Sequence, residues 1–127
     1  NASCVAQLQP GAMIDGVALD GVMVGRAAYH NPWLMAEWDE LLFGLPPREQ
    51  ALTREAVEAE MVAYTEREMA RTAGWAHGEV RWPQVIRHIL GLYHGLPGAR
   101  RWRQVWSDHK LKDLPPSEVM ALAHQRP

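Results

Sequence analysis

A short apolar segment near the start of the chain, residues 20–26 (DGVMVGR), constrains the fold more than any other feature. It is bounded by glycines and lacks polar–apolar alternation, which is typical of a strand buried on both faces in a parallel sheet. A single strand cannot form a sheet, because its backbone N–H and C=O groups would remain unpaired. The segment therefore predicts partner strands outside these 127 residues, either in upstream sequence or in another chain.

A helix is expected directly after this strand. Asn31 can cap its first turn, and Pro32 fits there because its missing N–H would have no helical partner. The helix should carry Trp33 and Trp38 and end at Gly44, ahead of two consecutive prolines. Strand, short loop and helix together make one βα unit.

Beyond residue 47 all the signals are helical. Thr53 can cap a long helix that continues to about Thr72, with Val57, Met61 and Tyr64 on its buried face. Three shorter helices should turn the following residues inward: Ile86, Ile89, Leu90 and Tyr93; Trp102, Val105 and Trp106; Val119, Met120 and Leu122. Four amphipathic helices with short connections predict a small antiparallel four-helix bundle. The predicted fold class is therefore mainly α.

The charge of the chain is unevenly distributed. Its formal net charge of −2 argues against nucleic-acid binding by bulk charge alone. Residues 97–112, however, contain five basic residues and only one acidic residue. The basic residues are Arg100, Arg101, Arg103, Lys110 and Lys112, and the acidic residue is Asp108. A basic patch on an acidic body is compatible with a polyanionic partner, although a solvated helix face is the usual explanation of such a run.

Composition excludes several other classes of protein. The single cysteine, Cys4, rules out an intramolecular disulfide framework and fits a reducing cytoplasm. No apolar run approaches the ~18 residues that a membrane span requires. Metal-ligand spacing, a P-loop and a Ser-His-Asp grouping are not visible. We expect a cytoplasmic monomer without a membrane or metal partner.

Two stretches resemble one enzyme family. Residues 20–32 (DGVMVGRAAYHNP) resemble the last barrel strand and following loop of A-type tRNA-dihydrouridine synthases. Residues 87–103 (RHILGLYHGLPGARRWR) resemble the signature of that subfamily's C-terminal helical domain. The resemblance implies that residues 1–44 are the last βα unit of an FMN-binding TIM (β/α)8 barrel. Residues 45–127 would then be a helical tRNA-binding domain.

The resemblance also implies an activity for the whole protein. Family members reduce a uridine of the tRNA D-loop, at about positions 20 and 20a for this subfamily, to 5,6-dihydrouridine. FMN at the barrel mouth is reduced by NADPH, hydride passes to C6 of the uracil, and a cysteine protonates C5. That catalytic cysteine is expected upstream of this chain, so Cys4 is not assigned the role. We expect the chain alone to be inactive.

Gly25 and Arg26 are the predicted cofactor-binding residues. In barrels of this kind the loops after the last strands commonly hold a phosphate. Glycine lets backbone N–H groups approach it, and the Arg26 guanidinium can add a charge-assisted bond. The family's other phosphate contact is an Asn-Gly-Gly segment, whereas here Asn1 is followed by alanine and serine. Without the resemblance, the favoured explanation would be that Gly25 forms a turn at the strand end and that Arg26 is a surface charge.

Arg100 and Arg103 are the predicted tRNA-binding residues, carried over from arginines that the family uses against the tRNA backbone. Because they are three residues apart, they should share one side of their helix, away from Trp102 and Trp106. Phosphate contacts there would orient the tRNA and make binding salt-dependent. Two other functions remain open: a stand-alone helical RNA-binding module without catalysis, and a helical interaction domain whose tryptophans form a partner surface.

Overall fold

The computed structural model describes residues 13–125. The chain divides into two compact units, of which the first ends at Leu52 and the second begins at Thr53. The described part is mainly helical, which confirms the predicted class. The predicted boundary between residues 44 and 45 separates a barrel remnant from a tRNA-binding domain, and that division stays a prediction.

The described part of the first unit begins with a small hairpin that the sequence pattern did not predict. Strand β1 (Met13–Ile14) pairs antiparallel with β2 (Val17–Ala18), and Ile14 lies opposite Val17. The connection is Asp15-Gly16, with φ of 50° and 78°. Aspartate followed by glycine is a favoured pair for a two-residue turn with both φ angles positive, so the local sequence explains the hairpin.

The predicted strand at residues 20–26 is wrong for the described part of the chain. Residues 21–25 have no regular secondary structure, and helix α1 (Arg26–His30) begins at the last residue of the predicted strand. A strand requires a neighbour that exchanges backbone hydrogen bonds with it, and within residues 13–125 only β1 and β2 are paired. The Met23 side chain is 90% exposed, which is unlike a residue buried in a sheet.

The helix predicted from Asn31 to Gly44 is divided in two. A 3₁₀ helix (Pro32–Met35) is followed by α2 (Trp38–Phe43), and the Asn31 side chain makes no capping bond. The Ala36 carbonyl lies at the break and accepts a bond of 3.0 Å from Nη1 of Arg48. The predicted end is confirmed, since Gly44 has the left-handed φ of 61° that glycine adopts without steric cost.

The second unit begins with the long predicted helix. Helix α3 (Arg54–Thr72) is capped by Thr53, whose hydroxyl oxygen accepts a bond of 3.1 Å from the Ala56 N–H, as predicted. The later elements are α4 (Trp82–Ile86), a 3₁₀ turn (Arg87–Ile89), α5 (Ala99–Trp106), a 3₁₀ turn (His109–Leu111) and α6 (Pro116–Ala123). Helix α3 packs against α4 and α6, and α6 also packs against α5. The bundle topology itself stays a prediction.

The core of the second unit is apolar and rich in tryptophan. Its buried hydrophobic residues are Val62, Trp82, Ile86, Ile89, Leu92, Trp102, Trp106, Val119 and Ala123. Five of the residues predicted to face inward are among them: Ile86, Ile89, Trp102, Trp106 and Val119. Within residues 13–125, no helix combines the length and apolar character needed to cross a bilayer.

The predicted buried face of α3 is wrong by one residue. Tyr64 is 44% exposed, and Val57 and Met61 are only half-buried. The buried face instead carries Glu58, Val62, Thr65 and Thr72. Three of these four side chains are polar, so a search for apolar periodicity selected the neighbouring face.

Candidate polyanion-binding site

Helix α5 presents two different faces. Trp102 and Trp106 are one turn apart and are 3% and 2% exposed, whereas Arg100 and Arg103 are both exposed. At 3.6 residues per turn, positions three apart lie about 60° from each other around the helix axis. The two arginines therefore share a solvent-facing side, and the tryptophans are inward, as the sequence predicted.

The guanidinium groups of Arg100 and Arg103 have no acidic partner in the described part of the chain. The ion pairs between residues 13 and 125 involve other side chains, and Lys110 and Lys112 are likewise without one. Arg101 differs, because its Nε donates to the Gln125 carbonyl at 3.3 Å. Two unpaired guanidinium groups on one exposed side are suited to bind phosphate oxygens.

A fully buried carboxylate lies on the inner side of α5. Glu58 Oε1 accepts bonds from Trp102 Nε1 at 2.9 Å and from Trp106 Nε1 at 3.0 Å. Its Oε2 accepts a bond of 3.0 Å from the Tyr93 hydroxyl and lies 2.5 Å from His124 Nε2. The Glu58 side chain is 0% exposed, while that of His124 is 42% exposed. Such a carboxylate is tolerated in a core because both of its oxygens have hydrogen-bond partners.

Glu58 connects α3 to three separate segments. Tyr93 lies in the turn after the second 3₁₀ helix, the two tryptophans lie on α5, and His124 is the residue after α6. Sequence reasoning missed both Glu58 and His124. The donors lie 35, 44, 48 and 66 residues from Glu58, so no local spacing indicates that they converge.

The other buried polar side chains of α3 are satisfied by the backbone. Thr65 Oγ1 donates to the Met61 carbonyl at 2.6 Å, and Thr72 Oγ1 donates to the Glu68 carbonyl at 2.8 Å. Thr72 Oγ1 also accepts a bond of 2.9 Å from the Val80 N–H, which holds the connection after α3. These hydrogen bonds offset the free-energy cost of burying the two hydroxyl groups away from water.

The aromatic rings around Glu58 form one packed group. The ring centroids of Tyr93 and Trp102 are 4.8 Å apart, and those of Trp82 and Trp106 are 5.4 Å apart in an edge-to-face arrangement. These three tryptophans are buried and do not form a partner surface, but they are only half of the six in the chain, so the interaction-domain alternative stays open. The rings exclude water from the carboxylate and thereby strengthen its hydrogen bonds.

Tyr93 provides a prediction about alkaline stability. Burial, and secondarily the negative charge of Glu58, raise the pKa of the Tyr93 hydroxyl above its ordinary value of 10.0. The unfolded chain therefore loses this proton first as the pH rises, and the stabilisation present below pH ~10 is progressively lost above it. We expect the stability advantage of wild type over Y93F to shrink above pH ~10. The slope should be below about 1.4 kcal/mol per pH unit, because the ring is partly exposed.

Urea unfolding at a series of alkaline pH values measures this difference. Y64F, at the exposed Tyr64 of α3, is the matched control for the loss of a phenol. Unfolding free energies of wild type and Y93F that stayed parallel over the whole range would contradict the assignment.

The predicted cofactor residues lie at the start of α1. Gly25 precedes the helix with φ −105°, and its carbonyl accepts a bond of 3.2 Å from the Tyr29 N–H. Arg26 is exposed, and the N–H groups of Gly25 and Arg26 have no acceptor within residues 13–125. Two open N–H donors beside an exposed guanidinium fit a phosphate. Asn1 and Cys4 lie outside the described residues.

The described part of the chain contains no cluster of side chains suited to bind a metal ion. Among residues 13–125 there is no group of three or more histidine, cysteine, aspartate or glutamate side chains that could hold an ion.

The fold and site define a mainly helical domain that presents an unpaired arginine pair above a buried carboxylate. A family described as dihydrouridine synthase (Dus) matches residues 3–125, and the chain belongs to this family.

The chain is also similar to curated proteins called tRNA-dihydrouridine(20/20a) synthase. It is 42% identical to the protein of Shewanella oneidensis over 84% of this chain and 29% of that protein. The protein of Vibrio cholerae is 41% identical over 83% of this chain and 29% of its own length. The protein of Pseudomonas aeruginosa is 46% identical over 74% of this chain and 26% of its own length. The chain thus spans less than a third of the relatives that it matches.

Proposed function

We propose that this chain is the C-terminal part of a cytoplasmic, monomeric oxidoreductase that reduces uridine in the tRNA D-loop to 5,6-dihydrouridine. The reduction would use FMN and NADPH and act at about positions 20 and 20a. The observation that carries the proposal is the exposed, unpaired pair Arg100 and Arg103 on α5 of a chain from the dihydrouridine synthase family.

The role proposed for the second unit is to hold the tRNA. Arg100 and Arg103 would bind phosphates of the tRNA backbone. Such contacts fix the orientation of the tRNA but do not distinguish one base sequence from another. Lys110 and Lys112 are exposed and would extend the positive surface. Such contacts would hold the tRNA while the target uridine is brought out of its stack, since reduction requires close approach of the base to the cofactor.

The role proposed for the first unit is to hold the cofactor's phosphate. The N–H groups of Gly25 and Arg26 would donate to its oxygens, and the Arg26 guanidinium would neutralise part of its charge. Bound FMN would supply the hydride, and the cysteine that donates the proton would come from the upstream barrel. Because Asn1 is not followed by a glycine pair, Gly25 and Arg26 would be the principal phosphate contacts that this chain supplies.

Exposed apolar side chains support a larger structure around the first unit. Nine of the twelve large hydrophobic residues that are exposed within residues 13–125 lie between Met13 and Leu45. Phe43 is 73% exposed and Val17 is 62% exposed. Large apolar side chains exposed in such number indicate surface that another structure covers. The remainder of a barrel, supplied by upstream sequence, is the proposed cover.

The proposal is tested by deleting the gene that encodes this chain and measuring dihydrouridine in the tRNA of the source organism. We expect dihydrouridine at about positions 20 and 20a to be lost and to return with the intact gene. The purified 127-residue chain, supplied with FMN, NADPH and unmodified tRNA, should produce none. Unchanged dihydrouridine after deletion would refute the proposed reaction. Turnover by the 127-residue chain alone would refute the proposal that the catalytic part of the enzyme lies upstream.

A stand-alone RNA-binding module is the second candidate, favoured by the self-contained core of the unit that begins at Thr53. It predicts that the chain binds tRNA while deletion of the gene leaves dihydrouridine unchanged. The same deletion therefore separates the two candidates.

A further inference from the structure

We propose that Glu58 is a positioning residue that fixes the orientation of α5 and thereby aims Arg100 and Arg103 at the tRNA. This inference rests on the proposed tRNA-binding role of the two arginines. Glu58 itself is 0% exposed and cannot touch the tRNA, so its effect must pass through the helix that it holds.

The geometry points to control of the helix's rotation. Trp102 and Trp106 are four residues apart, and both indole N–H groups donate to the same oxygen, Glu58 Oε1, at 2.9 and 3.0 Å. One such bond would allow α5 to pivot about it. Two bonds from successive turns to the same atom keep the tryptophan side of α5 turned toward Glu58 and so limit the rotation of the helix.

A small rotation is enough to disturb the outer face. The side chains of a helix extend roughly 5–6 Å from its axis. A rotation of about 20° would therefore move the outer side chains by about 2 Å. Displacement of a positioning group by about 1 Å can cost ~100-fold in rate when it misplaces a substrate. Arg100 and Arg103 lie on that outer face, so the inner carboxylate and the outer cations are linked by a rigid element.

The carboxylate is itself held from two further directions. Tyr93 and His124 both contact Oε2, which leaves Oε1 to the two indoles. The Tyr93 ring also packs on Trp102, with centroids 4.8 Å apart. Because α3, the Tyr93 turn and the end of α6 all restrain the carboxylate, the point to which α5 is attached is held by several segments besides α5.

A double-mutant cycle on tRNA binding by the 127-residue chain tests the inference. If Glu58 acts through the arginines, E58A should weaken binding about 10-fold in the wild-type background but less than about twofold when R100A and R103A are already present. E58Q should bind within about threefold of wild type, because its amide oxygen can still accept both indole N–H bonds. Each measurement is made where tryptophan fluorescence shows the variant to be folded.

W106F covers the case in which E58A does not fold. It keeps an aromatic ring in the core and removes one of the two N–H donors to Oε1. We expect it to weaken tRNA binding about threefold in the wild-type background and not at all in the R100A/R103A background.

The outcomes separate this inference from the proposed function. If R100A/R103A binds tRNA like wild type, the proposed tRNA site is wrong and the positioning role falls with it. A second outcome is that R100A/R103A binds tRNA weakly, but E58A or W106F weakens tRNA binding by the same factor in wild type and in R100A/R103A. In that case Glu58 does not act through the arginines. If E58Q binds more tightly than wild type, the buried charge acts by repelling the tRNA, which also overturns the positioning role.

Discussion

The double charge reversal R100E/R103E is expected to remove nearly all tRNA binding by this chain. Each hydrogen-bonded contact to a charged group is worth about 1.5–3 kcal/mol, so loss of two contacts should weaken binding by 100-fold or more. Binding that persists should also depend less on salt, with the slope of log K against log salt concentration falling by about one per lost phosphate contact. Fluorescence anisotropy with labelled tRNA at several salt concentrations measures both quantities.

The matched control for this experiment is R67E. Arg67 is an exposed arginine on α3, and it lies outside the basic segment at residues 97–112. Its reversal changes the net charge as much as either single reversal on α5, so it reports the effect of bulk charge alone. Equal losses in R67E and R100E would mean that the arginines of α5 form no specific site.

The second large effect is expected on stability. E58A should lower the free energy of unfolding of the second unit by about 3–5 kcal/mol, the range observed when one partner of a buried charged network is removed. The variant leaves the indole N–H groups of Trp102 and Trp106 buried without an acceptor, and it also leaves a cavity. E58Q keeps the volume and one acceptor oxygen, so its loss should be clearly smaller. Urea unfolding followed by tryptophan fluorescence gives these differences.

E60A is the control for the stability experiment. Glu60 is exposed on the same helix, two residues from Glu58, and its replacement should change stability by no more than about 0.5 kcal/mol. Should E58A and E60A unfold at the same urea concentration, the carboxylate would not hold the core together as its four contacts indicate.

The features that could be predicted from the sequence are those that depend on neighbouring residues. The Thr53 cap, the left-handed Gly44 and the inward pair Trp102 and Trp106 all follow from spacings of a few residues. The exposed position of Arg100 and Arg103 follows from the same helical period. In each case one element contains all the information that decides the result.

The predictions that are wrong concern interactions between distant segments. The apolar pattern at residues 20–26 indicates a strand, but a strand exists only when another segment pairs with it. On α3 the apolar period favoured the face of Val57 and Met61, whereas the packed face carries Glu58. A polar side chain is placed in a core by partners that offer hydrogen bonds, and those partners are not visible in the local pattern.

The sequence by itself determined that most of this chain is helical, where its longest helix begins and ends, and which side of α5 carries the arginines. Helical period and capping act over a few residues, so one segment is sufficient to decide them. Only the tertiary structure decided that Glu58 is buried and that Tyr93, Trp102, Trp106 and His124 meet at its carboxylate. That convergence requires segments up to 66 residues apart to pack together, because a buried charge is stable only where several donors reach it at once.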